Sequence, residues 1–124
     1  MIRGIGTDSI ELERIARVYA DWGNVFLQKV YTQSEREYFA QWADPIPRIA
    51  GRFAAKEACM KALGTGWSGG VRWRDIEVTR HPSGKPVVQL HGKARRIFSS
   101  LDALDIHCSI THSRRVALAV VIFE

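Results

Sequence analysis

Residues 52–66 read RFAAKEACMKALGTG, the pattern of a helix that carries an acid on its apolar side. At about 100° per residue, Ile49, Phe53, Met60 and Gly64 gather on one side. Glu57 falls inside that arc, roughly 40° from Phe53, and Lys61 follows one turn later. The remaining side, Ala55, Ala58 and Ala62, is a small-residue strip that lets a neighbour approach closely. Apolar residues on one side and small ones on the other predict a central position in the fold. Gly64 ends the helix with a residue suited to positive φ. Thr65-Gly66 and Gly69-Gly70 predict a flexible exit loop.

Upstream, Asp44-Pro45-Ile46-Pro47 starts this helix with proline near its first turn. Thr32-Gln33-Ser34-Glu35 is a capping box opening an earlier helix, whose buried face is expected to be Tyr38, Phe39 and Trp42. Trp22-Gly23-Asn24 breaks a helix over residues 9–20, in which Leu12, Ile15 and Tyr19 share a face that Arg14 and Arg17 avoid. Residues 2–8, IRGIGTD, form a glycine-punctuated strand. Downstream, residues 75–81 alternate as a strand, residues 81–86 turn, and residues 86–92 form a valine-rich strand. Residues 92–101 read as a short helix. Residues 107–113 and 116–124 flank a tight connection and predict a hairpin. The sum is an α+β fold, a mostly antiparallel sheet packed against the long central helix, as one domain over residues 1–124.

Composition narrows the function classes. Apolar residues make up 46% of the chain and charged ones 25%, close to the globular norm and far from disorder. No apolar run reaches the ~20 residues that span a bilayer. The acids in MIRGIGTDSIELERI leave no signal-peptide core, so the expected location is the cytoplasm. Cys59 and Cys108 lie in apolar stretches without C-x-x-C spacing and are expected to be free thiols. The formal charge of +5 suits an anionic partner of any kind. The tryptophans Trp22, Trp42, Trp67 and Trp73 are expected to pack, and His81, His91 and His107 show no pattern.

Glu57 has two readings. An ion pair with Lys61 at i+4 accounts for it on an exposed face. On an apolar face an unpaired carboxylate is costly and asks for a partner or a metal. Asp8 also has two. It can cap the helix that follows, with Glu11 three residues on. It can also serve a ligand from the strand face it shares with Ile2, Gly4 and Gly6, where glycines leave room for something bulky. Two carboxylates on separate elements, without a His/Cys cluster, suit a hard cation. Mg2+ takes one or two carboxylates together with waters and phosphate oxygens. Lys61 beside them fits phosphate neutralisation, and the GTG end offers backbone that a phosphate chain can approach. GIGTD lacks the third glycine of a dinucleotide fingerprint. His112, between Thr111 and Ser113, reads as an ordinary polar turn or as a phosphate contact.

GIGTDSIELERI and RFAAKEACMKALGTG together resemble the two signatures of the holo-[acyl-carrier-protein] synthase family of 4′-phosphopantetheinyl transferases. VYTQSEREYF, GKPVVQL and the final CSITHSRRVALAVVIFE are similar to further family segments in the same order, so the resemblance covers essentially the whole chain. It implies transfer of the phosphopantetheine arm of coenzyme A to a serine of acyl carrier protein, with release of adenosine 3′,5′-bisphosphate, in fatty acid biosynthesis. It implies Mg2+ on Asp8 and Glu57, with Lys61 as the catalytic cation. The serine proton would go to Glu57 or to a water activated by the metal. Coenzyme A contacts are implied for Lys61, Gly64, Gly66, Pro86, Thr111 and His112, and carrier docking for Arg14 and Arg17. The family is a homotrimer with coenzyme A between adjacent subunits. Its usual Ser-x-Ser-His reads Ser109-Ile110-Thr111-His112 here, which keeps the hydroxyl and adds a methyl.

Other classes fit less well. A nucleic-acid-binding module would use the positive charge, but the basic residues are dispersed and no recognition signature is present. Neither nucleic acid nor membrane is expected as a partner. A Mg2+-dependent phosphohydrolase would use the same carboxylates without any carrier protein.

Overall fold

In the computed structural model, which describes residues 1–66 and 69–124, strand β1 (Gly4–Glu11) runs into helix α1 (Leu12–Trp22). Helices α2 (Asn24–Val30), α3 (Gln33–Phe39) and the long α4 (Ile46–Leu63) follow. A 3₁₀ turn (Trp73–Asp75) leads to strands β2 (Ile76–Arg80) and β3 (Pro86–Leu90). Helix α5 (Gly92–Ser100) and strands β4 (Ile106–His112) and β5 (Val116–Phe123) come last. Strands β1, β5 and β4 form one sheet in that order, and β2 pairs with β3 in a second. All the pairings are antiparallel among the described residues. The expected α+β architecture is present, with its strands divided between two sheets.

Three helix boundaries have the local cause expected, although α3 stops at Phe39, before Trp42. Thr32 Oγ1 accepts from the Glu35 N–H at 3.3 Å while Glu35 Oε1 accepts from the Thr32 N–H at 2.8 Å, closing the capping box of α3. Asp44 Oδ1 accepts from the Ile46 N–H at the start of α4. At its end, Gly64 has φ +80° and donates its N–H to Lys61 O at 3.0 Å.

Two boundaries differ from expectation. Strand β1 continues to Glu11 because β5 pairs with it as far as Glu11↔Val116. The ladder outweighs the helical pattern that begins at residue 9. Asp8 is therefore mid-strand and caps nothing; Glu11 precedes α1 without a side-chain cap. Helix α2 lies where the sequence shows only a break. Gly23 turns the chain at φ +49°, and Leu27 and Val30 then bury themselves in the core.

Helix α4 crosses β1 and β5 and is buried nearly all round. Its alanine strip meets the glycines of β1. A Cβ placed on Gly6 would lie 1.8 Å from Ala58 O, so only glycine permits this approach. The strand backbone thus lies against the helix, and Asp8, two residues further along the same face, arrives beside the turn carrying Glu57 and Lys61. Tyr31 and Phe39 are buried edge to face at 4.9 Å. The packing expected of the tryptophans holds for Trp73, which lies 4.9 Å from Phe53. Trp42 and Trp22 are instead 36% and 63% exposed, and Trp67 lies outside the described residues. Trp42 takes the Arg48 guanidinium over its ring at 3.5 Å and meets the Tyr38 ring edge to face at 6.2 Å. Cys59 and Cys108 are free, and burial pushes the Cys59 thiol up to about 12. No described helix is long and apolar enough to cross a membrane.

Candidate active site

The strand alternation that buries Gly6 and Ile10 also turns Asp8 toward α4. Lys61 reaches across from the helix, donating to Asp8 Oδ1 at 3.1 Å and to Thr7 O at 3.0 Å. The i+4 pair of Lys61 with Glu57 does not form among the described residues, because the ammonium is engaged on the neighbouring strand. Glu57 is half-buried. Its carboxyl is held above the usual range, first by burial and then by the charge of Asp8, against the opposing pull of Lys61 and Arg14. Four charged groups from three elements therefore share one field. A divalent cation would relieve both the burial cost and the repulsion. No three His, Cys, Asp or Glu residues cluster among the described residues, so an ion here would rest on two carboxylates and on oxygens from outside the chain. That donor set fits Mg2+.

Glu57 stands at the rim of the core, not inside it. The ionic groups that are fully buried are Lys56 and Glu35, which the sequence reading missed. A lysine in an alanine-rich helix reads as solvated, and Glu35 was already accounted for by its capping box.

Pro86 and His112 line a different place, a groove of about 210 Å³ shared with Tyr38, Arg48, Arg52 and Arg80. Arg52 is buried, and its Nε has no hydrogen-bond partner. The Arg52 and Arg80 guanidinium groups both lie over the Tyr38 ring, at 4.1 and 4.8 Å. Burial lowers the Arg52 pKa, as it must when a cation lacks a full counter-charge. This concentration of cations is complementary to a polyanion. The sequence reading missed these arginines; the i,i+4 spacing of Arg48 and Arg52 was the available signal.

Thr111 and His112 are not brought together. Successive strand residues face opposite ways, and in the ladder Thr111 stands opposite exposed Leu118 while His112 stands opposite buried Ala117. Gly64 and Gly66 follow Lys61 off the end of α4 at φ +80° and +51°. Nothing lies within 4 Å of a Cβ built on either, so their backbone is open to a ligand.

The acid pair and the groove belong to opposite edges of one sheet. Asp8 pairs with Ala119, and Ala119 with Ile110, which puts about 10 Å of sheet between them. On α1, Arg14 is exposed and its charge is felt at Glu57. Arg17 is 71% exposed and meets Glu13 at 3.4 Å.

The family model for the 4′-phosphopantetheinyl transferase superfamily matches residues 4–121, and the chain belongs to that superfamily. Within it, the chain is 45% identical to the holo-[acyl-carrier-protein] synthase of Koribacter versatilis, over 100% of this chain and 99% of the relative. It is 47% identical to the holo-[acyl-carrier-protein] synthase of Nitratidesulfovibrio vulgaris with the same coverage. Among solved structures, it is similar to a holo-[acyl-carrier-protein] synthase from Neisseria meningitidis, with a TM-score of 0.90 and 36% identity over 100% of this chain and 99% of that one. A holo-(acyl-carrier-protein) synthase from Bacillus anthracis, solved in complex with CoA (3′,5′-ADP), matches with a TM-score of 0.82 and 36% identity, covering 99% and 96%.

Proposed function

We propose that this chain transfers the 4′-phosphopantetheine group of coenzyme A to a serine of apo-acyl carrier protein. The transfer releases adenosine 3′,5′-bisphosphate and activates the carrier for fatty acid biosynthesis in the cytoplasm. The observation that carries this reading is the meeting of Asp8, Glu57 and Lys61 beside the open glycine backbone at the end of α4. Residues 1–124 act as one domain, a reading supported by the core that α4 shares with strands of both sheets.

The carrier's serine oxygen forms a bond to the β-phosphorus of the coenzyme A diphosphate. The bond from that phosphorus to the bridging oxygen breaks, and the nucleotide leaves. Such a transfer depends on positioning and on charge stabilisation. Asp8 and Glu57 would hold Mg2+, which when bound supplies positive charge against the diphosphate. Lys61 adds a point charge to the same phosphates, and Gly64 and Gly66 let the backbone approach. The serine proton would pass to Glu57 or to a water activated by the metal. Arg48, Arg52, Arg80 and His112 receive the phosphates of the nucleotide end, with Pro86 beside the adenine.

One chain presents the acid pair at one sheet edge and the groove at the other. A coenzyme A that uses both fits between two copies, which supports a homotrimer with a site at each subunit boundary. The outer face of the sheet supports the same assembly, since Ile5 is 62% and Leu118 42% exposed and such apolar faces favour a partner. Thr111, on that outer face, reaches coenzyme A only across the boundary. Arg14 and Arg17 on α1 dock the acidic carrier.

Mass spectrometry of apo-acyl carrier protein incubated with coenzyme A, Mg2+ and this chain tests the reaction. The expected result is a gain of one phosphopantetheine on one serine. Hydrolysis of coenzyme A with an unmodified carrier would overturn it.

A further inference from the structure

Lys56 immediately precedes Glu57, and its ammonium is fully buried. It donates to Glu35 Oε1 at 2.9 Å, to Trp73 O at 3.2 Å and to Ile76 O. An ammonium has three protons, and here each has an acceptor. Glu35 is itself held at both oxygens, by the Thr32 N–H at 2.8 Å and the Val78 N–H at 2.8 Å. The latch thus joins α4 to the start of α3, to the 3₁₀ turn and to β2.

Toward β1, α4 is held by the exposed Lys61 ammonium, which donates to Asp8 Oδ1 and Thr7 O. The rest of that face meets the glycines of β1 through helix backbone, a close contact that sets the distance between strand and helix. Directional hydrogen bonds specify rotation. At the ~5–6 Å radius of helix side chains, a turn of roughly 10° moves a carboxylate by about 1 Å. A misplacement of that size costs on the order of 100-fold in rate.

We propose that Lys56 is a positioning residue: by latching α4 to β2 and α3 it sets the rotation of the helix, and so where Glu57 stands relative to Asp8. This rests on the reading of Asp8 and Glu57 as metal ligands. It goes beyond that reading by giving a residue that touches no substrate a defined effect on the site.

The test uses the full-length protein and Mn2+ as a probe that electron paramagnetic resonance detects. Binding of 3′,5′-ADP without metal is measured separately by calorimetry. The double variant Glu35→Gln/Lys56→Met removes both charges together, so no buried charge is left unpaired. Its Mn2+ dissociation constant is expected to rise about tenfold or more with nucleotide affinity unchanged. Lys56→Arg keeps the charge but not the geometry of three converging donors, and is expected to weaken Mn2+ in the same direction. It serves alone if the double variant does not fold. Parental Mn2+ affinity in a folded variant overturns the proposal. So does an equal loss for Mn2+ and nucleotide, which marks general loosening. Glu57→Gln separates the two levels. If it leaves Mn2+ binding unchanged, the ligand reading itself falls. If it weakens Mn2+ and the Lys56 variants do not, only the positioning role falls.

Discussion

Glu57 ionises against two costs, its own burial and the nearby carboxylate of Asp8. The folded chain therefore holds the Glu57 proton more tightly than the unfolded chain does. A raised folded-state pKa stabilises fully below the unfolded value, and that contribution is lost as pH rises through the raised one. Glu57→Gln should accordingly melt higher than the parent at pH 7 in metal-free buffer. In thermal scans across pH, the gap should close as pH falls into the ordinary carboxylate range. The gain is small, since solvent screens a half-buried group. In the same variant, and in Asp8→Asn, transfer to the carrier followed by mass spectrometry should drop on the order of 100-fold or more. Higher stability with lower activity is what a site that concentrates like charges for chemistry should show. The acids themselves were readable from residue type and spacing. Lys61 moving from Glu57 to Asp8 was not, because the partner lies 53 residues away in the chain.

The contact between β1 and α4 has the strictest geometry in the fold. Gly6→Ala would drive a methyl into the Ala58 carbonyl. The helix must then shift away from the strand at a cost of about 3 kcal/mol or more. Chemical denaturation should show that loss, with weaker metal binding alongside it, as Asp8 and Glu57 separate. Helix α1 has a looser task. Arg17 meets an exposed Glu13, a pair worth little to stability. Arg17→Glu should leave the melting temperature and the KM for coenzyme A unchanged, and should raise the KM for acyl carrier protein several-fold, more at low salt. Arg14 is the less selective probe, since its charge also reaches Glu57. Capping box, proline start and glycine stop made α3 and α4 legible as sequence. Strand β1 was read too short because its last residues are held extended by β5, more than 100 residues later.

For the whole molecule, the separation of acid pair and cationic groove onto opposite sheet edges makes a sharp expectation. Asp8→Asn damages one edge and His112→Ala the other. If the proposed homotrimer forms, chains carrying one substitution each, mixed and allowed to exchange, should regain roughly a quarter of the parental activity, because that share of its boundaries would join two intact edges. Activity no greater than the average of the two variants alone would place each site within a single chain.

Local chemistry set the start of α3, the start and end of α4, the alternation of the hairpin strands, and the pairing of a glycine strand with an alanine helix. It also supplied both acids and the lysine, because those signals act over a few residues or reside in residue type. Distance across the chain governed the rest. The groove draws on α4, the β2–β3 hairpin and β4, the Lys56 latch on α4, α3 and β2, and the rotation of one helix decides which carboxylate meets which. Burial and hydrogen-bond direction act only once those segments are packed together, so their outcome could not be written in any one stretch of residues.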